Sequence, residues 1–169
     1  MTQTFINALR ALEKSGRIYQ IELHTPDGEK GSLTNFNVTI RSIRESQPQR
    51  KTATDSVWGM DGEYDFSFPE TYSRRQYDIV FNIYSLLGDM QDQRDALVDW
   101  LKSADCRDNE NASEIYMTIN TNPRAKYKNL WVSIGDFNVN KSGRGKFETA
   151  LSVTISTDPR FEKDGVSRI

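Results

Sequence analysis

Cysteine and histidine are nearly absent from this sequence. Its 169 residues include one cysteine, Cys106, and one histidine, His24. An internal disulfide is therefore impossible, and the usual zinc sites built from Cys and His ligands cannot be assembled. Cys106 lies in a polar run, which predicts a loop thiol rather than a nucleophile, and His24, beside a Thr-Pro-Asp-Gly turn, is predicted at the surface of a strand end. We expect no enzyme, no catalytic residues, no metal and no cofactor.

Long apolar segments are also missing. No run approaches the roughly 18 apolar residues needed to span a bilayer, and the N-terminus lacks the basic, apolar and small-residue order of a signal peptide. Lys and Arg number 22 against 24 Asp and Glu, which argues against binding to nucleic acid or an anionic membrane through a global field. We therefore expect a protein that is made and kept in a cytoplasm, without a membrane partner.

What the chain does contain fits one folded domain. With 36% hydrophobic residues, a chain of this length can bury a moderate core without metals or disulfides. Near the N-terminus, Phe5, Leu9 and Leu12 recur at helical spacing and predict a short helix, which packs either on the chain's own core or on a neighbouring subunit. We expect a helical arm over residues 1–16, a single β-sandwich domain over 17–161 and a C-terminal tail over 162–169.

Alternation of apolar and polar residues predicts strands through most of the rest. The alternating runs begin near Tyr19, Phe36, Tyr77, Ile115, Leu130 and Phe147. The last two runs predict a long β-hairpin, and a shift of phase at Gly135 predicts a bulge in its first strand. Pro123 to Lys126 is interpreted as a basic turn. The almost wholly polar interval from Arg44 to Asp55 predicts an exposed loop.

One further segment changes to the helical period. Met90, Leu97, Leu101 and Ala104 share a face, and Asp89 can cap a helix that reaches to about Ala104. The predicted fold is therefore mainly β (α+β), a β-sandwich or split barrel with one flanking α-helix, a short N-terminal helix and a long β-hairpin.

Three clusters are candidates for chemistry. Asp61, Glu63 and Asp65 alternate, so in a strand they would line one face and hold calcium or act as acid and base; the alternative is a solvated strand face. The run from Lys141 to Lys146 has glycines and lysines but not the order of a phosphate-binding loop, and it predicts a basic hairpin tip. Aromatics crowd residues 58–77, as in a core, a subunit interface or a sugar-binding surface.

Four motifs follow one another along the chain: a Gly-x-Asp-Gly turn precedes a strand, an aromatic-x-x-Arg step leads to a second strand, a helix carries a Trp-Leu pair, and an Asp-Pro closes the domain at Asp158. This ordered set resembles the N-terminal domain of phage distal tail proteins. The similarity covers roughly Phe36 to Phe161. The motif positions taken as scaffold are Trp58, Gly59, Asp61, Gly62, Tyr64, Asp65, Phe66, Arg75, Trp100 and Leu101. Beside this pattern, Asp61-Gly62 is better interpreted as a turn and Tyr64 to Phe66 as a strand entering the sandwich.

The resemblance implies a fold related to the tail tube and a specific role. Copies would form a hexameric ring at the virion tail tip, assembled in the host cytoplasm, joining the tail tube protein to hub and fibre proteins. The ring would encircle a channel in which DNA makes transient, non-specific contacts. Residues predicted to make ring contacts lie in the arm, the polar loop and the hairpin tip: Phe5, Leu9, Leu12, Arg44, Arg50, Lys51, Lys141, Arg144 and Lys146.

Two alternatives stay open at this point. The first is a tail tube or tube-initiator protein, because these share the sandwich, helix and hairpin. The second is a carbohydrate-binding adsorption module that uses the aromatics near Trp58 for sugar and the acidic strand for calcium.

Overall fold

The computed structural model describes residues 4, 7–8, 11, 19–26, 28–31, 38–51, 54–56, 63–65, 71–83, 90–141 and 147–169. Within the predicted arm these are Thr4, Asn7, Ala8 and Ala11, all helical and exposed. The predicted contacts Phe5, Leu9 and Leu12 lie outside the described residues. No described helix is long and apolar enough to cross a membrane.

Strands dominate the described chain. In order they are β1 (Ile21–Thr25), β2 (Gly28–Gly31), β3 (Val38–Ser46), β4 (Arg50–Lys51), β5 (Thr54–Ser56), β6 (Glu63–Asp65), β7 (Thr71–Tyr72), β8 (Arg75–Ile83), β9 (Tyr116–Ile119), β10 (Asn122–Lys128), β11 (Trp131–Lys141), β12 (Phe147–Thr157), β13 (Phe161–Lys163) and β14 (Val166–Arg168). One helix, α1 (Met90–Ser103), lies between β8 and β9, and a 3-10 turn (Ala112–Glu114) precedes β9.

Two antiparallel sheets form a sandwich. The first has six strands in the order β14-β13-β10-β9-β1-β2, and the second has four in the order β11-β12-β8-β3. Buried apolar residues of both sheets belong to one continuous cluster, in which Tyr77 of β8 meets Tyr127 of β10 with ring centres 5.3 Å apart. This confirms the predicted mainly β sandwich.

The central strands show why the alternating pattern was informative. Along β8, Tyr77, Ile79, Phe81 and Ile83 are at most 2% exposed, and they pair with the equally buried side of β12. Since successive side chains point to opposite faces of a sheet, this period of two buries one face in the core. The predicted hairpin is the β11–β12 pair.

The helix covers the same core. In α1, Leu97 and Leu101 are fully buried, and Trp100 is 6% exposed. The helix bounds agree closely with the predicted ones, because the apolar stripe was visible in the sequence; the predicted cap, Asp89, lies outside the described residues. The scaffold residues Trp100 and Leu101 therefore belong to the core.

The predicted bulge is present in β11. Its register with β12 shifts between Ile134 and Phe137. A Cβ added at Gly135 would lie 3.0 Å from the Ser152 carbonyl oxygen of β12, so the backbones approach closely where the extra residue is accommodated. Because of the bulge, Ile134 and Phe137 both face the core, and both are partly buried against it.

Several predictions need correction. Pro123 to Lys126 are not a turn but part of β10; the chain reverses before them, at Asn120 and Thr121. The predicted loop from Arg44 is interrupted by strand structure, since β3 continues to Ser46 and is followed by β4 and β5. Pro48 in this interval is buried.

Two other segments differ in their pairing. The acidic strand β6 exists as expected, but it pairs with β5 in a separate two-stranded sheet instead of joining the sandwich sheets. Residues 162–169, predicted as a tail, form most of the β13–β14 hairpin, which continues the six-stranded sheet. Antiparallel pairing across this boundary gives these residues backbone partners. The division of the chain into domains remains a prediction.

A truncation of the central strand tests this description of the core. Phe81→Ala removes a fully buried ring from β8 and should lower the free energy of unfolding by about 3–5 kcal/mol, because a cavity remains. Urea unfolding followed by circular dichroism measures the change. The control Val166→Ala alters a side chain that is 53% exposed and should change stability by about 0.5 kcal/mol or less. Similar losses for both variants would contradict the assigned core.

Candidate assembly surface

The four-stranded sheet presents one face to the core and one outward. Residues that alternate with the core positions of β8 and β12 form the outward face, and most are short and polar: Gln76, Asp78, Val80, Asn82, Ala150, Ser152, Thr154 and Ser156. The Thr154 hydroxyl donates to the Asp78 carboxylate at 3.0 Å. On β8 and β12 this face therefore offers hydroxyl and amide groups, and Asp78 lies in register with the exposed Arg44 of β3.

Strands β3 and β11 are the outer strands of this sheet. They have 9 and 11 residues, and no other described strand pairs with their free sides. Trp131 and Val139 on β11 are large apolar residues that remain 39% and 44% exposed. Because a long unpaired edge is a template for pairing with another chain, these two edges are the candidate assembly surface.

Arg75, the first residue of β8, joins three parts of the chain at one end of this sheet. Its side chain is 2% exposed and forms an ion pair with Glu45 of β3. It also donates to Gln47 Oε1 at 2.9 Å and to the Pro159 carbonyl at 3.3 Å, and its guanidinium carbon lies 5.0 Å from the centre of the Phe161 ring. Arg75 thus ties the end of the β3 edge to the chain that enters β13.

The neighbouring Arg74 reaches toward the other edge. It donates to the Ser156 hydroxyl at 3.1 Å, to the Ser156 carbonyl at 3.0 Å and to the Asn129 carbonyl. Its guanidinium carbon lies 3.8 Å from the centre of the Trp131 ring. Burial lowers the pKa of Arg74, and Asp158, 3.6 Å away, opposes that shift. Stacking on a fixed guanidinium holds Trp131 at the start of the β11 edge.

The six-stranded sheet carries a separate cavity of about 460 Å³ on its outer face. His24 stacks on Tyr116 there, with ring centres 4.2 Å apart, and its Nε2 lies 3.2 Å from the Thr118 hydroxyl. His24 is only 9% exposed, so the prediction of a surface histidine was wrong: the Tyr116 ring of the neighbouring strand β9 covers it. None of the residues predicted for ring contacts is among the described residues that line this cavity.

Cys106 follows α1 in a loop, as predicted, but it is buried. It is 7% exposed, and burial raises the pKa of its thiol. A thiol whose ionisation is disfavoured is a poor nucleophile. Among the described residues, no three Asp, Glu, His or Cys side chains form a group that could hold a metal.

The predicted contact residues occupy different elements. Arg44 is exposed on the β3 edge strand and Lys141 ends the β11 edge strand, whereas Arg50 and Lys51 form β4. The structure does not describe Arg144 and Lys146. A role in contacts between copies remains a prediction for all of them.

The motif residues taken as scaffold also lie partly within and partly outside the described residues. Arg75, Trp100 and Leu101 are buried, and the backbone of Tyr64 and Asp65 lies in β6. The remaining motif positions lie outside the described residues: Trp58, Gly59, Asp61, Gly62 and Phe66.

The sequence patterns did not identify Trp131 as part of a surface cluster. The alternating pattern predicts that Leu130, Val132 and Ile134 face the core. Trp131, which lies between two of them, is then predicted to face outward. An out-of-phase aromatic residue was the available signal. Its partner Arg74 was not identifiable, because the contact joins distant parts of the chain.

Comparison with known proteins relates the fold to phage tails. No family model and no curated protein sequence matches the chain. Among solved structures, the Dit protein of phage SPP1, described as a paradigm of the hub adsorption apparatus in phages that infect Gram-positive bacteria, is similar with a TM-score of 0.54 and 13% sequence identity. The similarity covers 85% of this chain and 52% of Dit, so this chain spans about half of Dit's length.

Two gene transfer agent structures show weaker similarity. A chain of the native virion has a TM-score of 0.36 and 12% identity, covering 81% of this chain and 94% of that one. A chain of the tail of the empty particle has a TM-score of 0.33 and 10% identity, covering 92% and 96%. The similarity to Dit shows that this chain has a fold found in a phage tail hub protein.

Replacing Arg75 tests the connection that it makes. Arg75→Ala should lower the free energy of unfolding by about 2 kcal/mol; this is less than the loss of a fully buried pair, because the Glu45 side chain is 36% exposed. Urea unfolding measures the change. Arg124→Ala is the control, since Arg124 pairs with Asp164 at the surface, with side chains 68% and 55% exposed, and should cost about 1 kcal/mol or less. Equal losses in the two variants would show that Arg75 has no special structural role.

Proposed function

We propose that this protein is a structural component of a phage or phage-derived tail. Copies form a hexameric ring at the tail tip that connects the tail tube to the hub and fibre proteins around the DNA channel. The observation that carries the proposal is the four-stranded sheet of a Dit-like fold, with β3 and β11 as its two outer strands. The number six and the named partners come from the resemblance of the sequence to distal tail proteins.

Strand directions favour a ring. All neighbours in the order β11-β12-β8-β3 are antiparallel, so β3 and β11 also run in opposite directions. The β3 edge of one copy can therefore lie beside the β11 edge of the next and continue the antiparallel alternation. Contacts between two different surfaces are head-to-tail, and they close into a ring when the rotation between copies allows it.

The outward face of the sheet suits a channel. If the edges pair around a ring with the six-stranded sheet and α1 outside, the short polar side chains around Asp78 and Ser152 face inward. Tight DNA binding needs Lys and Arg on the phosphates. On β8 and β12 this face carries hydroxyl and amide groups and no Lys or Arg, and Arg44 of β3 lies beside Asp78, so DNA would find few phosphate contacts and make only transient ones.

Ring formation is the central prediction. Purified protein at high concentration, alone or with its tail tube partner, should show six-fold rings by negative-stain microscopy and a hexamer mass by light scattering. Long stacks of rings formed by this protein alone would indicate a tube protein instead. A protein that stays monomeric with and without tube and hub proteins would overturn the proposal.

A matched pair of variants tests the edge. Val139→Lys places a cation on the β11 edge, where the facing β3 edge would bring the exposed Arg41 and Arg44, and it should abolish rings without changing the circular dichroism spectrum. Val166→Lys places the same charge on β14 of the other sheet, at a side chain that is 53% exposed. Rings should persist in this control. Rings in both variants would contradict assembly through β11.

A further inference from the structure

The free side of β11 is covered over its first residues. The Val132 N–H donates to Asp105 Oδ2 at 3.2 Å, and the Val132 carbonyl accepts from Arg107 Nη2 at 2.9 Å. In an antiparallel strand the N–H and C=O of one residue point the same way, so both groups of Val132 face away from β12. The Leu130 carbonyl likewise accepts from the Cys106 N–H at 2.8 Å. Residues 105–107 therefore occupy the place of a neighbouring strand.

The covering pair is held firmly. Arg107 Nη2 lies 2.7 Å from Asp105 Oδ2, and the Arg107 backbone N–H donates to Asp105 Oδ1 at 2.9 Å. Burial by itself raises the pKa of Asp105, but hydrogen bonds from Arg107 and Val132 lower it below its ordinary value. The carboxylate is thus ionised at neutral pH and available as an acceptor.

The later part of the same edge lacks this cover. Val139 pairs with Thr149 as Val132 pairs with Ile155, and this register places the backbone N–H and C=O of Val139 on the free side of β11. Within the described chain, no segment takes the place of a strand there. The open part, residues 134–141, is about as long as β3, which has nine residues.

The charges of the open part suit the β3 edge. Asp136, at the bulge, is exposed, and Arg41 and Arg44 are exposed on β3. An antiparallel alignment of residues 134–141 with β3 of a second copy brings Asp136 near Arg44. Opposite charges across a strand pair stabilise it.

We propose that the Asp105–Arg107 pair is a stop: it blocks strand addition at Val132 and confines pairing with β3 of a second copy to residues 134–141. This inference rests on the proposed ring. The stop fixes the register between copies, because a strand that slid toward Trp131 would have to displace both side chains. Register in turn sets the rotation between copies on which ring closure depends.

The double variant Asp105→Ala/Arg107→Ala removes the stop. Hydrogen exchange at the Val132 amide should accelerate by about tenfold, since its hydrogen bond is lost. Negative-stain microscopy should show open or heterogeneous polymers where the unaltered protein forms rings of one size. The control Lys128→Ala/Glu162→Ala removes an ion pair of 3.2 Å between exposed side chains on the other sheet. It should leave both readouts unchanged.

Rings of unaltered size and number in the double variant would overturn the stop while leaving the ring proposal intact. If the double variant does not fold, Arg107→Ala alone serves: it removes the bond to the Val132 carbonyl and the ion pair with Asp105, keeps the Asp105 side chain, and should still broaden the particle sizes. Unaltered particle sizes in this variant would likewise overturn the stop.

A peptide probe separates the two proposals if no rings form. A synthetic peptide of residues 38–46 should slow amide exchange at Val139 and leave Val132 unchanged in the unaltered protein, and it should slow both in the double variant. Protection of Val132 by the peptide in the unaltered protein, or protection of neither amide, would overturn the stop.

Discussion

A buried guanidinium must keep its hydrogen-bond partners, and at Arg75 this requirement determines how the parts of the sandwich meet. The side chain lies at the start of the central strand β8 and bonds to Glu45 and Gln47 on one side and to Pro159 on the other. Leaving such a charge unpaired in the interior is costly. Arg75 therefore connects the end of β3, the start of β8 and the chain before β13. These bonds hold the outer strand β3 against the core.

Arg74 and Arg75 are adjacent, and each contacts a different outer strand of the four-stranded sheet. Arg75 holds β3, and Arg74 bonds across β12 and stacks on Trp131 of β11. Arg75 is the first residue of β8 and enters the core side, whereas Arg74, just before the strand, crosses the outward side to Ser156. Two consecutive side chains thus connect β8 to both outer strands at one end of the sheet. A ring built from sheet edges needs such connections, because small errors in edge position accumulate around a closed assembly.

Predictions from the sequence succeeded where a single periodicity decided the structure. Tyr77 to Ile83 alternate cleanly and form β8, and the apolar stripe ending at Leu101 forms α1. Gly135 marked the bulge because only a residue without a side chain fits the close approach to Ser152 without displacing a neighbour. In each case, local chemistry and burial favoured the same structure.

Predictions failed where pairing with a distant strand outweighed local preference. Pro123 to Lys126 contain a proline and two basic residues, yet they lie in a strand because β13 pairs with Ala125 and Lys126 and β9 pairs with β10 on both sides of the segment. His24 is buried by Tyr116, which lies far away in sequence. The Arg74–Trp131 stack and the bonds from residues 105–107 to β11 also join distant segments, and no short motif marks them.

The position of the proposed stop depends on the core itself. Asp105 and Arg107 follow directly after α1, whose Leu101 and Trp100 are buried, and Cys106 between them is buried as well. A long unprotected edge invites indiscriminate pairing, whereas a fully covered edge prevents assembly. A stop that follows the helix end and flanks the buried Cys106 covers only the first part of β11. The packing that stabilises the monomer would thereby also set the register between copies, so that folding and ring geometry depend on the same residues.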